Sequence, residues 1–314
     1  MARFIDIDLS LLPAPTAVVV PDYEALVADR KADIVARVRA RITDPVLIAD
    51  LEAVLALESE PLTIDAEVGA YRETLVYERI NDAVRAVLLP TSTGTDLDNL
   101  LSRLGVQRMT APADPSATPP RAEYREADDD AKRRYILALE AFSTAGPYGA
   151  YLFHALSAHP HVKDAGVYGP EEAFVDPGHA HIVVLSRIGN GVPTQQVLDS
   201  VSAKLSPKDA RPLTDYVDVV AAAITDYVIV YHLEIPRGPD PALVVAAAEA
   251  ELAIYAAARH RVGAIVADSG LDAAAHRPGV ERALRSQPPA QVDPGLQGAA
   301  YCTSITVTYE VVGD

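Results

Sequence analysis

The stretch that decides the fold of the first third of this chain runs from Glu58 to Leu89 and reads ESEPLTIDAEVGAYRETLVYERINDAVRAVLL. Apolar residues recur in it at steps of three and four, beginning with Ile64 and Val68, which predicts an amphipathic helix over roughly 63–89. At about 1.5 Å per residue such a helix is about 40 Å long, which exceeds the diameter of a small domain. Two interpretations fit this periodicity: other subunits cover part of the apolar stripe, or helices of the same chain cover it.

Shorter elements are predicted on the N-terminal side of this helix. Asp22 is a suitable N-cap for a helix over 23–40, and Asp44-Pro45 begins a second helix that runs to about Leu57. Residues 5–20 are interrupted by prolines and cannot form one helix. We therefore expect an extended arm that lies on another surface.

Strand-like and helical segments alternate after about residue 128. The strand-like segments are rich in β-branched residues, and turn residues separate them from the helices. Their order does not follow the regular alternation that builds a large parallel sheet. We predict an α+β fold, with an N-terminal helical region that contains one long helix, followed by two small β/α domains. The predicted segments are strands at 162–168, 181–187, 211–220, 226–235, 280–285 and 301–312 and helices at 128–142, 194–205, 241–259 and 268–275.

A proline-rich stretch separates the two halves of this pattern. Residues 110–120 read TAPADPSATPP and are nearly free of charge, which is typical of a linker. We predict an N-terminal arm and helical, bundle-forming domain over 1–109, a linker at 110–120, a middle β/α domain over 121–222 and a C-terminal β/α domain over 223–314. The candidate hinge residues are the linker prolines Pro112, Pro115, Pro119 and Pro120.

Composition excludes several classes of partner. The 314 residues include 27 Lys and Arg against 44 Asp and Glu, a formal net charge of −17. An acidic surface repels phosphate, so nucleic acid and anionic membranes are not expected as partners. The single cysteine, Cys302, excludes an internal disulfide framework and a thiolate zinc cluster. No apolar run is long and uncharged enough to predict a membrane span, and no secretory signal is evident, so we expect assembly in a cytoplasm.

Possible binding motifs have simpler structural explanations. Gly189-Asn-Gly191 lies between a predicted strand and helix, as in a dinucleotide fingerprint, but Thr194 replaces the third glycine and favours a turn with a helix cap. Two pairs, His159-Pro-His161 and His179-Ala-His181, could hold a metal only if they converged. If the strands beside them form an antiparallel hairpin, the pairs lie at opposite ends, so we expect exposed loop histidines.

Signals for catalysis are absent from the sequence. It contains no nucleophile elbow, Ser-x-x-Lys or His-Glu-x-x-His motif. Cys302 lacks a partner motif and is predicted to be a buried structural residue. Paired carboxylates such as Asp96 and Asp98 have capping or solvated-surface explanations. We therefore predict no catalytic, cofactor-binding or metal-binding residues.

A series of short motifs, each weak alone, runs nearly end to end through the chain. They are Asp8-Leu-Ser-x-Leu-Pro-Ala-Pro15, Leu57-Glu-Ser-Glu-Pro-Leu62, Ala70-Tyr-Arg-Glu73, Arg79-Ile-Asn-Asp-Ala83 with Ala86-Val87, Gly94-x-Asp-Leu-Asp98, Ser143-Thr-Ala-Gly146 with Gly149-Ala-Tyr151, Val184-Leu-Ser-Arg187, Asp209-x-Arg-Pro-Leu-Thr-Asp215, His260-Arg-x-Gly263 and Cys302-Thr303. In this order and spacing the chain resembles the baseplate assembly protein J family of contractile-tailed phages, the J-like wedge proteins.

The resemblance implies a structural subunit of the virion tail baseplate rather than an enzyme. Two copies, in different conformations, are implied to pair with one copy of a tail protein I-like partner through a helical bundle. Such wedges would close a ring around the central spike and hub, contact neighbouring wedges and sheath-proximal baseplate proteins, and reorient when the sheath contracts. A hinge at 110–120 would let one sequence hold both conformations.

The resemblance places the bundle within 58–89, with four residues of that segment in motif positions. Together with the apolar stripe, this predicts the bundle interface Glu58, Glu60, Pro61, Val68, Tyr71, Arg72, Leu75, Arg79, Ile80, Asn81 and Val87. The alternative, from another functional class, is a tail-tip enzyme that binds or hydrolyses glycan. It requires two acids that face one cleft about 5–10 Å apart.

Overall fold

The computed structural model describes residues 9, 12–117, 120–143, 146–207, 211–212, 214–238 and 240–313. Its contacts divide the chain into two compact units, with the division after Arg103. The predicted hinge residue Pro119 lies outside the described residues, as do the motif positions 8, 10, 11, 144, 145, 209, 210 and 213.

Helices build the first unit, and their starts follow local sequence signals. The Asp22 carboxylate accepts hydrogen bonds from the N–H groups of Glu24 and Ala25 at the start of the first helix. The next two helices begin at Pro45 and Pro61, where no N–H partner is needed. The predicted long helix is present and has 26 residues. The helices of this unit are α1, Tyr23–Arg39; α2, Pro45–Leu55; α3, Pro61–Ala86; and α4, Gly94–Ser102.

Small residues let α3 approach α1 closely on one side. Ala66 and Ala70 are 2% and 0% exposed, and Ala70 packs against apolar side chains of α1. A Cβ atom at Gly69 would lie 2.2 Å from Nη1 of Arg30, so glycine provides the space for that side chain. Arg30 then pairs with Glu73 at 2.9 Å. The contact with α1 covers only this side of α3.

The proline-containing arm lies on α3, as expected from the sequence, and Asn81 holds it. The N–H groups of Ala17 and Val18 both donate to Oδ1 of Asn81 at 3.0 Å. The Asn81 Nδ2 group donates to the carbonyl oxygen of Val18 at 2.9 Å. Asn81 is 4% exposed, so the arm buries its amide.

Replacing Asn81 by Ala is expected to release the arm. Three hydrogen bonds are lost, at about 0.5–1.5 kcal/mol each, so the arm loses roughly 2–4 kcal/mol. Backbone amides in residues 12–22 should therefore exchange with solvent at least about tenfold faster. The exposed Asn99→Ala substitution is the control and should leave this exchange unchanged. Equal exchange in both variants would show that other contacts hold the arm.

The second unit contains two three-stranded sheets with helices packed against them. The strand orders are β3-β4-β5 and β7-β6-β8, and in each sheet the first pair is antiparallel and the second parallel. The predicted α+β class is confirmed. The elements are β1, Thr110–Ala111; β2, Tyr124–Arg125; α5, Asp128–Leu137; α6, Tyr148–Leu156; β3, Val162–Tyr168; β4, His179–Ser186; α7, Gln195–Leu205; β5, Tyr216–Ala221; β6, Ala223–Pro236; α8, Pro241–Arg259; α9, Asp268–Ala275; β7, Arg282–Gln287; and β8, Gly298–Val312.

Residues 110–120 are predicted as a linker, but the chain on both sides of them belongs to the second unit. β1 pairs with β2 in antiparallel fashion, and an isolated bridge joins Asp114 to Arg121. The division between the compact units falls after Arg103, before this segment. The boundaries at 109 and 120 and the proline hinge stay predictions, and a hinge here would swing a hairpin.

A buried ion pair closes the base of this hairpin. Glu126 and Arg134 are 3% and 5% exposed. Nε and Nη2 of Arg134 donate to the two carboxylate oxygens of Glu126 at 2.7 and 2.6 Å. Arg134 also donates to the carbonyl oxygen of Gln107 at 2.6 Å, and the N–H of Met109 donates to Glu126 at 2.9 Å. The pair thereby joins both sides of the hairpin to α5.

The two sheets, predicted as separate domains, share a core. Asp164 of β3 accepts hydrogen bonds from Nη1 of Arg133 at 2.8 Å and from the N–H of Val262, which follows α8, at 3.0 Å. Nδ1–H of His260 donates to the carbonyl oxygen of Ala300 at 2.8 Å. The shared apolar cluster consists of Tyr168, Val175, Val183, Leu185, Ala222, Val262 and Ala299.

Acid is expected to weaken this junction through His260. Burial lowers its pKa below 6.5, with the charge of Lys163 acting in the same direction and the Ala300 hydrogen bond and Asp164 opposing. Between the lowered and the unfolded pKa the unfolded chain binds more protons, so stability falls as the pH drops through about 6.5. Denaturant titrations from pH 7.5 to 5 should show that the free energy of unfolding falls less steeply in His260→Gln than in the unchanged chain. An equal fall in both proteins would show that His260 does not cause the loss.

One described helix, α8, is long and apolar enough by length and composition to cross a membrane. Its buried residues lie on one side and pack on the second sheet, so that side serves the core of this unit. They are Val244, Ala248, Leu252 and Ala256.

Candidate assembly interface

The side of α3 that α1 does not cover carries an uncovered apolar stripe. Ile64, Val68, Tyr71 and Leu75 are 47%, 45%, 58% and 44% exposed. Their spacing of four, three and four residues places them on one face of the helix. Isolated exposed apolar residues are ordinary, but a contiguous row marks a surface that another molecule covers. Within the first unit, this stripe is the candidate site.

A second row of exposed apolar side chains lies further round α3, at Val76 and Ile80, and the C-cap residue Val87 is also exposed. Between the two rows, α3 exposes charged side chains, among them Arg72 and Arg79. An apolar surface with charged groups at its margins is the usual composition of a protein–protein interface.

The predicted interface residues fall into two groups. Glu60 is half-buried at the start of α3, and Asn81 is buried under the arm of the same chain, so Asn81 serves the internal fold. The other predicted residues are exposed and available to a partner: Glu58, Pro61, Val68, Tyr71, Arg72, Leu75, Arg79, Ile80 and Val87.

Sequence reasoning missed an apolar surface on α2. Val46 and Leu47 are 65% and 54% exposed, and only Leu55 of this helix is buried. The signal was present in the sequence, because PVLIADLEAVL is apolar on nearly every side and a helix of that composition needs more than one covering neighbour. We add these two residues to the candidate surface.

In the second unit, two of the sequence motifs meet. The Tyr151 hydroxyl of α6 donates to Oδ2 of Asp215, just before β5, at 2.8 Å. Burial is the main cause that raises the pKa of Tyr151, and the bond to Asp215 adds to it, so the hydroxyl keeps its proton. Gly146 has φ +74°, and a Cβ atom there would lie 2.9 Å from the ring of Pro212. These motif residues therefore serve packing.

Comparison with known proteins identifies the family. Residues 58–114 match the model of the baseplate J-like N-terminal domain, and residues 143–221 match that of the baseplate J-like central domain. The chain is also 38% identical over 302 residues to baseplate protein J of Escherichia phage P2, covering 96% of this chain and 97% of that protein.

The chain belongs to the baseplate J-like family. It is a structural protein of the phage tail baseplate. The J-like N-terminal match contains the whole of α3 and its apolar stripe, and the J-like central match contains the Tyr151–Asp215 contact. The α3 part of the candidate interface therefore lies in a segment characteristic of the family.

The histidine pairs of this J-like chain lie at opposite ends of the β3–β4 hairpin, as the sequence predicted. They are half-buried rather than exposed, because their rings pack on neighbours: His159 on His161, and His179 on Tyr216. His179 also bonds Asp218 through Nδ1 at 2.5 Å. In the part of the chain that the structure describes, no three His, Cys, Asp or Glu side chains form a group that could hold a metal.

Proposed function

We propose that this chain is a wedge subunit of the baseplate of a contractile tail or of a related injection machine. Two copies, in different conformations, pair with one tail protein I-like partner. The wedges form a ring around the central spike and hub and reorient when the sheath contracts. The observation that carries this proposal is the row of half-exposed apolar side chains along α3.

The energetics of the stripe support an obligate complex. Full burial of a large apolar side chain contributes about 1.5–3 kcal/mol, and the four stripe residues still expose about half of that surface. Covering them alone would contribute on the order of 3–6 kcal/mol. Obligate interfaces add further apolar area of this kind, as on α2.

The second unit is proposed to carry contacts with neighbouring wedges and with hub, spike and sheath-proximal proteins. Assembly is proposed to take place in the host cytoplasm, and the acidic surface argues against nucleic acid or anionic membrane as a partner. The hinge is proposed at Pro112, Pro115, Pro119 and Pro120, where movement would displace the hairpin relative to the rest of the unit.

Coexpression tests the proposal. The tagged chain, produced together with the adjacent tail gene products, should purify as a stable complex that contains a tail protein I-like chain. Two copies of the J-like chain should be present for each partner chain when the mass is measured by native mass spectrometry. A J-like chain that purifies without any tail partner under these conditions contradicts the proposal.

We propose that the chain has no enzymatic activity, although one cleft merits a direct assay. Glu171 and Asp215 both line a cleft of about 260 Å³, and the glycan-hydrolase alternative requires two acids that face one cleft. Asp215 is engaged by Tyr151, which supports a packing role. Purified chain incubated with host cell wall should release no soluble sugar. Release that Glu171→Gln abolishes would establish the enzyme alternative.

A further inference from the structure

The longest described strand, β8, forms one margin of the second sheet. β6 pairs with one side of it, and no strand in the described ranges pairs with the other side. Such a margin leaves the N–H and C=O groups of about every second residue without a sheet partner. The segment 303–312 reads TSITVTYEVV and lacks the proline and lysine that usually protect an exposed edge.

The apolar layer of this sheet continues to the free edge and stops there uncovered. Ile305 and Val307 pack against the core. Tyr309 and Val311 follow at the same spacing of two residues and lie on the same face, yet each is 50% exposed. Their register partners on β6 are fully buried, so the uncovered area begins at the last strand. Another strand beside β8 would extend the layer and cover it.

A cationic cleft of about 400 Å³ lies where the free edge begins. Residues 301–305 line one side, and Lys163 and Arg187 line another. Arg187 pairs with Asp130 at 2.8 Å. The side chain of Lys163 makes no hydrogen bond or ion pair within the described residues, and the charges of Asp164 and Asp130 act on it only from a distance. Partial burial and the charge of Arg187 lower the pKa of Lys163. A carboxylate brought here from outside would gain a cationic partner.

We propose that two copies of this chain pair edge to edge through β8, antiparallel about a two-fold axis at Val307. The carbonyl oxygens of Gly298 and Ala300 already accept hydrogen bonds from Gly263 and His260, so the free part of β8 is 302–312. Val307 is the midpoint of this stretch, and the register uses its full length. Ile305 of one copy then faces Tyr309 of the other, an aromatic and β-branched pair of the kind that stabilises sheets. The two uncovered apolar margins merge into one layer.

Charge complementarity favours a second copy of this chain as the partner of β8, and it favours the antiparallel orientation. Glu310 is the single charged residue of 302–312, and in the two-fold register it faces Ser304 of the other copy. Ser304 lines the cleft that holds Lys163, so each copy supplies the carboxylate that the other copy's cleft can bind. In-register parallel pairing would instead place the two Glu310 carboxylates side by side. Each would also lie next to Glu234, its register partner on β6, so like charges would repel.

This contact lies wholly in the second unit and goes beyond the proposed bundle on α3. It provides a symmetric connection between copies that needs no other protein. Failure of one proposal leaves the other intact, because their test variants lie in different units.

Disulfide trapping in the full chain tests the pairing. Cys302→Ser removes the natural thiol, and Val307→Cys then places two thiols across the axis. Facing Cα atoms of antiparallel strands lie about 4.5–5.5 Å apart, within the range of a disulfide. We expect a covalent dimer after mild oxidation of Val307→Cys. The matched control, Val228→Cys on β6 in the same background, should stay monomeric, and equal cross-linking of the two overturns the proposal.

Charge reversal tests the register independently. Glu310→Lys and Lys163→Glu should each raise the dimer dissociation constant about tenfold in sedimentation experiments, and the double variant should restore it. Far-UV circular dichroism checks that each variant is folded. A double variant that is no better than the single ones overturns this register. Replacement of Val68, Leu75 and Ile80 on α3 by Asp should leave the Val307→Cys cross-link unchanged.

Discussion

Replacement of Val68, Leu75 and Ile80 by Asp is expected to abolish incorporation of this chain into the baseplate complex while leaving both units folded. The three side chains are 45%, 44% and 41% exposed, so half of each is still to be covered by a partner. Loss of that burial removes on the order of 2–4 kcal/mol, and three carboxylates without partners in an apolar interface cost more. Affinity for the tail partner should fall at least about a hundredfold.

The contrast with the opposite side of α3 makes this experiment decisive. Ala70→Asp puts a carboxylate at a position that is 0% exposed against α1, and it should unfold the first unit itself. Circular dichroism separates the two cases, because helix content should fall in Ala70→Asp and persist in the triple variant. Unfolding of the triple variant would show that the stripe belongs to the internal core. A folded triple variant that still assembles would remove α3 from the interface.

Arg134→Leu is expected to destabilise the second unit strongly. It leaves the Glu126 carboxylate buried without its cation and frees the carbonyl oxygen of Gln107. Breaking a buried pair by removing one partner costs about 3–5 kcal/mol. Hydrogen exchange of peptides that span α5 and the hairpin should accelerate strongly, and the midpoint of urea unfolding should shift to lower concentration.

Arg39→Leu provides the matched control, since Arg39 pairs with Glu52 on the surface. Both members of that pair are about half exposed, and exposed pairs contribute about 0–1 kcal/mol. Its urea midpoint should change little. If Arg134→Leu behaved like the control, water would be solvating the Glu126 carboxylate. The Glu126–Arg134 ion pair would then not be what holds the hairpin against α5.

Local sequence signals located several elements accurately. The bounds of α8 and α9 and of β3 agree with the predictions. Pro241 and Asp268 mark the starts of the two helices, and alanine-rich stretches follow them. The helix α6 was missed, since its nine residues mix glycine, aromatic and small side chains without a clear period. β5 begins at Tyr216 instead of 211. The surrounding packing fixes such short elements more than their own propensities do.

The motifs allowed the family to be recognised without any structure, but their physical roles did not follow from the sequence. His260, Gly263 and Asp164 proved to belong to one junction between two sheets. Asn81, predicted to face other subunits, was found to bind the arm of its own chain. These contacts join residues from 35 to 98 positions apart, and such contacts leave no periodic trace in the residues between them.

The sequence by itself determined the acidic surface, the long amphipathic helix, the α+β class and the resemblance to a baseplate family. These depend on composition, on spacing within one element and on ordered motifs, all of which are properties of neighbours along the chain. Only the tertiary structure decided which face of α3 is covered, that Glu126 meets Arg134, and that β8 ends a sheet with a free edge. Each of these depends on which distant segments pack together, and many arrangements share the same local pattern.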